Sequence, residues 1–169
     1  YNGVAILSRN PATDVVAGIP GFDDEQRRVL AVSLGSLRVI DVYVPNGQTV
    51  GSDKFAYKLR WFDALREYVA AELARHPHLV VLGDFNVAPE DRDVHDPSAW
   101  EGSVHVSPPE RAALQALLGA GLTDCFRLFE QPEKSFSWWD YRMMAFRRNA
   151  GLRIDLILAS SALAQKCGA

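Results

Sequence analysis

The period of apolar and polar positions changes along the chain, and each change predicts an element. Val29-Leu30-Ala31-Val32-Ser33-Leu34 and Leu37-Arg38-Val39-Ile40-Asp41-Val42-Tyr43-Val44 read as two strands joined by Gly35-Ser36. A two-residue loop with glycine first predicts a type II′ hairpin. Pro45-Asn46-Gly47 supplies turn chemistry that stops the second strand. From Lys54 to about Arg75 the period becomes helical, with Phe55, Leu59, Phe62, Leu65, Tyr68 or Val69, and Leu73 on one face and Pro77 ending the run. His78 to Leu82 predicts a short strand buried on both faces. Ser107-Pro108-Pro109-Glu110 has the form of a capping box with proline at the first helical position. The helix it opens passes through Leu114, Leu117 and Leu118 and stops at Gly119 or Gly121. Further strands are expected at Val4–Leu7, Phe136–Trp139 and Arg153–Leu158. Strands interleaved with helices in this order predict a mixed α/β layered fold with a two-sheet interior.

Composition changes this picture little. The 169 residues, 48% hydrophobic and 23% charged, suit one globular domain. No uninterrupted apolar run is longer than that of Leu79 to Leu82, far below the roughly 20 residues of a membrane span, and the N-terminal residues lack a signal peptide's basic start. No membrane partner is therefore expected. Cys125 and Cys167 form no CxxC pair, which argues against a disulfide scaffold or thiolate zinc site and for a reduced, cytoplasmic setting. A net charge of −3 means that any nucleic-acid binding must come from a local patch. The chain starts at Tyr1 within strand-like sequence and stops at Ala169 soon after another strand, so both ends read as cut.

Four segments carry candidate chemistry. In Leu79-Val80-Val81-Leu82-Gly83-Asp84-Phe85-Asn86 a buried strand ends on a carboxylate and an amide two residues apart. Water activation needs a base and a neutral donor of this kind, although an Asx-turn uses the same residues. In Leu152-Arg153-Ile154-Asp155-Leu156 a carboxylate sits inside an apolar strand. It requires a partner or a solvent-facing position, because an unpaired buried charge is costly; a surface Arg153–Asp155 pair is the plainer alternative. Tyr43-Val44-Pro45-Asn46 is weak on its own. Between Ser135 and Arg153, aromatic residues including Trp138, Trp139 and Tyr141 alternate with Arg142, Arg147 and Arg148, and no acid follows Arg142 before Arg153. Arginine with aromatics suits nucleic acid; a tryptophan core beside a solvated basic loop is the alternative. Met143 and Met144 are expected to pack. His76, His78, His95 and His105 have no metal-binding spacing, and none is expected to be a ligand.

In their order, Tyr43-Val44-Pro45-Asn46, Gly83-Asp84-Phe85-Asn86 and Leu152-Arg153-Ile154-Asp155 resemble the exonuclease III family of the endonuclease/exonuclease/phosphatase superfamily. Tyr1-Asn2-Gly3-Val4-Ala5-Ile6-Leu7-Ser8-Arg9 and Ser137-Trp138-Trp139-Asp140-Tyr141-Arg142 strengthen the likeness, which covers nearly the whole chain. The resemblance implies a four-layer sandwich with two mixed β-sheets between helices, and Mg2+- or Mn2+-dependent hydrolysis of phosphodiesters in double-stranded DNA. The expected reactions are abasic-site incision, 3′→5′ exonuclease action and removal of 3′-blocking groups. By the same likeness Asp84 orients or deprotonates water and Asn86 helps to hold it, while Tyr43 and Asn46 contact the scissile phosphate. Asp155 fixes a histidine that stabilises the transition state. Trp138, Leu152 and Ile154 line a pocket for a base-less sugar, and Arg142 and Arg148 contact DNA. The family's metal-binding Asn and Glu would lie before Tyr1 and its terminal Asp-His pair after Ala169, so no metal ligand is expected in this chain. The reading is of one monomeric domain over residues 1–169, with no protein partner named. Two alternatives stay open: a catalytically inactive DNA- or protein-binding domain, and a lipid or inositol phosphoesterase of the same superfamily.

Overall fold

The computed structural model describes residues 3–168; Tyr1 and Asn2, which open the first family-like string, and Ala169 lie outside them. A six-stranded mixed sheet organises the described residues, in the order β1-β2-β3-β4-β8-β5. Its strands are β1 (Thr13–Ala17), β2 (Val29–Leu34), β3 (Leu37–Tyr43), β4 (Leu79–Asp84), β5 (Leu122–Asp124) and β8 (Asp155–Ser160). β3 and β4 are parallel; the other pairs are antiparallel. β6 (Trp138–Trp139) and β7 (Gly151–Leu152) form a separate two-stranded ribbon. Two longer helices, α1 (Asp53–Arg75) and α3 (Pro108–Leu118), accompany the sheet, with α2 (Pro97–Trp100) and α4 (Ser161–Ala164) as single turns. The class is α/β with a mixed sheet. The described residues hold this one large sheet and the separate β6–β7 ribbon.

The β2–β3 hairpin forms as predicted. Leu34 pairs with Leu37 across Gly35-Ser36, and Gly35 takes the positive φ of +60° that a type II′ turn requires. Ser52 caps α1 by accepting the Phe55 N–H at 3.2 Å, and the Ser107–Glu110 capping box opens α3. One side of the sheet meets both long helices in the main core, where Ile40, Val42, Val81 and Leu158 pack with Trp61, Phe62, Leu65, Leu114 and Leu117. The α1 face is less apolar than its periodicity indicates: Lys58 and Glu72 are buried within it. Arg38 of β3 neutralises Glu72 at 2.5 Å and reaches the Asp14 carbonyl at 2.7 Å.

Val4–Leu7 is not a strand. A strand needs a ladder partner, and this segment instead lies on the sheet's second face, where Ile6 packs with the Val32, Val39 and Val80 cluster. Two strands escaped the pattern. β5 has three residues, and β1, of sequence TDVVA, is exposed at four of its five positions. β1 also carries a bulge between Thr13 and Val16, with Asp14 at φ +49°.

Gly83 matters most for the site. Its φ is +130°, and a Cβ there would meet the Val42 carbonyl oxygen at 2.1 Å. The glycine lets β3 and β4 close at their carboxyl ends, where Tyr43 lies opposite Asp84. Gly83→Ala should cost more than about 3 kcal/mol, read as a lowered urea midpoint or as failure to fold.

Candidate active site

Tyr43, Asp84 and Asp155 are register partners across three adjacent strands. Tyr43 pairs with Asp84 between β3 and β4, and Asp84 with Asp155 between β4 and β8. Paired residues on neighbouring strands share a sheet face, so residues up to 112 positions apart form one row, as 155 − 43 gives. The loops that leave β3 and β4 bring Asn46 and Asn86 to the same end.

Asp84 and Asn86 meet through a turn and not through strand alternation. Asn86 has φ +52°. Its backbone N–H donates to Asp84 Oδ1 at 2.8 Å, and its side-chain Nδ2 donates to Asp84 Oδ2 at 3.0 Å and to the Val44 carbonyl at 2.9 Å. The plain Asx-turn is therefore present, and it fixes the carboxylate. Burial pushes the Asp84 carboxyl up to about 6; the Asn86 N–H opposes this, Asp155 across the strands adds to it, and Lys58 and Arg28 oppose it. Such a group is charged at neutral pH yet basic enough to take a proton.

The remaining expected residues are placed unevenly. Tyr43 is half-buried, with the Arg28 guanidinium 4.7 Å from its ring centre. Asn46 is exposed; its Nδ2 lies 3.4 Å from Asn86 Oδ1 and 3.3 Å from His105 Nε2. Asp155 is exposed too, so the solvent-facing alternative holds for it, and its N–H donates to Ser137 Oγ at 3.0 Å. The Arg153–Asp155 pair does not form. Arg153 is buried and contacts Asp93 at 2.6 Å and Asp124 at 2.8 Å. Leu152 and Ile154 are 0% and 2% exposed in a small core with Ala88 and Val94, so of the three expected pocket residues Trp138 presents the surface. Arg142 is exposed but held by Asp140 at 2.9 Å, and Arg148 is exposed. Met143 and Met144, expected to pack, are 79% and 65% exposed beside Tyr141 and Phe146. Volume does not locate this site: a groove of about 550 Å3 between Ile19–Phe22 and α1 lies elsewhere, and a cavity of about 330 Å3 borders Asp155.

Three side chains that were not among the expected site residues complete the arrangement. Lys58 is fully buried; its ammonium donates to the Asn46 carbonyl at 3.1 Å, to the Asn86 carbonyl at 2.8 Å and to the Glu110 carboxylate. Glu110 also accepts the His105 N–H at 3.0 Å and the Ser107 hydroxyl. His105 is 6% exposed, lies between the rings of Trp100 and Trp138, and places Nδ1 2.7 Å from the Asn86 carbonyl. A lysine on the apolar face of α1 was the visible signal for the first; nothing local marked His105.

The family model for the endonuclease/exonuclease/phosphatase family matches residues 1–168. The chain belongs to that family. It is 35% identical to exodeoxyribonuclease III of Haemophilus influenzae over 99% of this chain and 67% of that protein. The structure of a Neisseria 3′ phosphatase bound to product DNA hairpin superposes with a TM-score of 0.91 at 47% identity, over 94% of this chain and 62% of that one. An AP endonuclease from Archaeoglobus fulgidus gives a TM-score of 0.89 at 32% identity, over 95% and 63%. The chain thus spans about two thirds of the length of these relatives. Among the described residues no cluster of three His, Cys, Asp or Glu side chains could hold a metal ion.

Lys58→Met would strand the Glu110 carboxylate in the core. It should lower stability by about 3–5 kcal/mol, the cost of breaking a buried pair from one side, as read by urea denaturation.

Proposed function

We propose that this chain is the part of a divalent-metal-dependent DNA-repair phosphodiesterase that holds its general base and phosphate-contacting residues. The observation that carries the reading is the Tyr43–Asp84–Asp155 row with two amides at its end. Exodeoxyribonuclease III, a 3′ phosphatase on a DNA hairpin and an AP endonuclease among the relatives support DNA as substrate. The reactions proposed are incision at abasic sites and 3′→5′ exonuclease action on double-stranded DNA, with Mg2+ or Mn2+ as the ion and its protein ligands, as the resemblance implies, outside this chain.

In this reading Asp84 takes the proton of the attacking water. Asn86 has both amide hydrogens engaged by Val44 and Asp84. We therefore assign it to aiming Asp84, and not to holding the water. Asn46 is exposed, and its long contacts of 3.3 and 3.4 Å can give way to a phosphate oxygen. Tyr43, at the end of the row, contacts the same phosphate. Asp155 faces solvent, in position to fix a histidine supplied from elsewhere in the protein. Trp138 with the exposed Arg142 and Arg148 extends the DNA contact, with Leu152 and Ile154 as the floor beneath it. We place the protein in the cytoplasm as a monomer; the free thiols Cys125 and Cys167 support a reduced setting, and no described helix is long and apolar enough to cross a membrane.

The test is a labelled duplex with one abasic site, incubated with magnesium and then with EDTA. Nicking at that site that EDTA abolishes is the expected result; metal-independent binding without nicking would favour the inactive binding domain. Asp84→Asn should lower kcat about 10²–10⁴-fold and leave duplex affinity unchanged, and persistent cleavage would remove Asp84 from its role. Because the base must be ionised, kcat/KM of the unaltered protein should fall as pH drops through about 6.

A further inference from the structure

His105 has a left-handed backbone, φ +77°, a conformation uncommon outside glycine although histidine adopts it more readily than most residues. Its ring is nevertheless buried and has a specific partner at each nitrogen, and hydrogen-bond chemistry fixes which nitrogen carries the proton. The Asn86 backbone oxygen can only accept, so Nδ1, 2.7 Å away, carries hydrogen. Burial and the neighbouring Lys58 ammonium disfavour the cation, against the Asn86 carbonyl and Glu110. The ring is neutral and Nε2 is bare.

The other end of the chain of amides gives the same assignment independently. Asn86 must turn its nitrogen towards Val44 O and Asp84 Oδ2, since both accept. Its Oδ1 then faces Asn46, which must offer an N–H there, at 3.4 Å. The second Asn46 hydrogen points at His105 Nε2, 3.3 Å away, while Asn46 Oδ1 accepts the Gln48 N–H at 3.0 Å. Turning either amide over would set oxygen against oxygen and N–H against N–H. A ring protonated at Nε2 would force that reversal on Asn46.

We propose that His105 is a positioning residue: its bare Nε2 fixes the direction of the Asn46–Asn86 amide chain, and thereby the Asn86 side-chain N–H that donates to Asp84 Oδ2. The importance of the aim rests on reading Asp84 as the base; the aim itself is measurable without turnover. Two spectroscopic readouts and two substitutions test it. In the 15N spectrum of the unaltered protein at pH 7.5, the His105 ring should be protonated at Nδ1 and bare at Nε2. His105→Asn tolerates left-handed backbone and can reach the Asn86 carbonyl, but it is too short for Asn46. In this variant the 13C titration midpoint of Asp84 should rise by about half a pH unit, because weakened N–H donation disfavours the charged carboxylate. His105→Gln, whose longer amide can offer an oxygen to Asn46, should bring the midpoint back. A ring protonated at Nε2, or an Asp84 midpoint that His105→Asn leaves in place, would overturn the proposal. Loss of the base assignment would show separately, as cleavage surviving Asp84→Asn.

Discussion

A single buried ammonium holds the loops of Asn46 and Asn86 in register. Lys58 donates to the backbone carbonyls of Asn46 and Asn86 and to the Glu110 carboxylate, and none of the ion pair reaches solvent. Burying a lysine is unfavourable unless its hydrogens and charge are all met. Here three segments far apart in sequence must converge to meet them: the loop after β3, the loop after β4 and the first turn of α3. The constraint is geometric as much as energetic. If either loop moved, a donor in the core would be left without its acceptor.

From that anchor the site is built outward by directional bonds. Glu110 closes the capping box of α3 and accepts the His105 N–H. His105 leans on the Asn86 carbonyl, and Asn86 grips Asp84 at both oxygens. Asp84 is thus tied by a continuous hydrogen-bonded chain to a helix N-terminus. The sheet supplies the complementary part, because pairing between β3, β4 and β8 aligns Tyr43, Asp84 and Asp155 without any bond between their side chains. Pre-organisation of this kind lets a carboxylate act without first being oriented at the moment of reaction.

What could be read from sequence divides along the same line. The hairpin, the long helix and the capping box were legible because their signals are local: alternation, a 3.6-residue period, and Ser107 with Glu110 three positions on. Asp84, Asn86 and Asp155 were legible because a carboxylate or amide at the end of an apolar strand is conspicuous. Their alignment was not, since register between strands 71 residues apart, as 155 − 84 gives, has no local signature. β1 and β5 were missed because one is mostly exposed and the other very short, so pairing holds them more than burial does. Lys58 and His105 were not assigned to the site because a lysine in a helix and a histidine in a loop take their meaning from neighbours that only the fold supplies. The Arg153–Asp155 alternative failed for the same reason: Arg153 turns to Asp93 and Asp124 instead.

The bulge in β1 has a consequence of another kind. An outer strand with a regular row of open backbone groups invites a strand from a second molecule, and edge-to-edge growth of sheets is a common route to aggregation. Between Thr13 and Val16 the pairing slips, and Asp14 turns into left-handed backbone. That irregularity breaks the even spacing an incoming strand would have to match. It does so although Val15 is 62% exposed and would otherwise make the edge adhesive. Among the described residues β1 is the outer strand on this side, and its backbone offers a poor template for another.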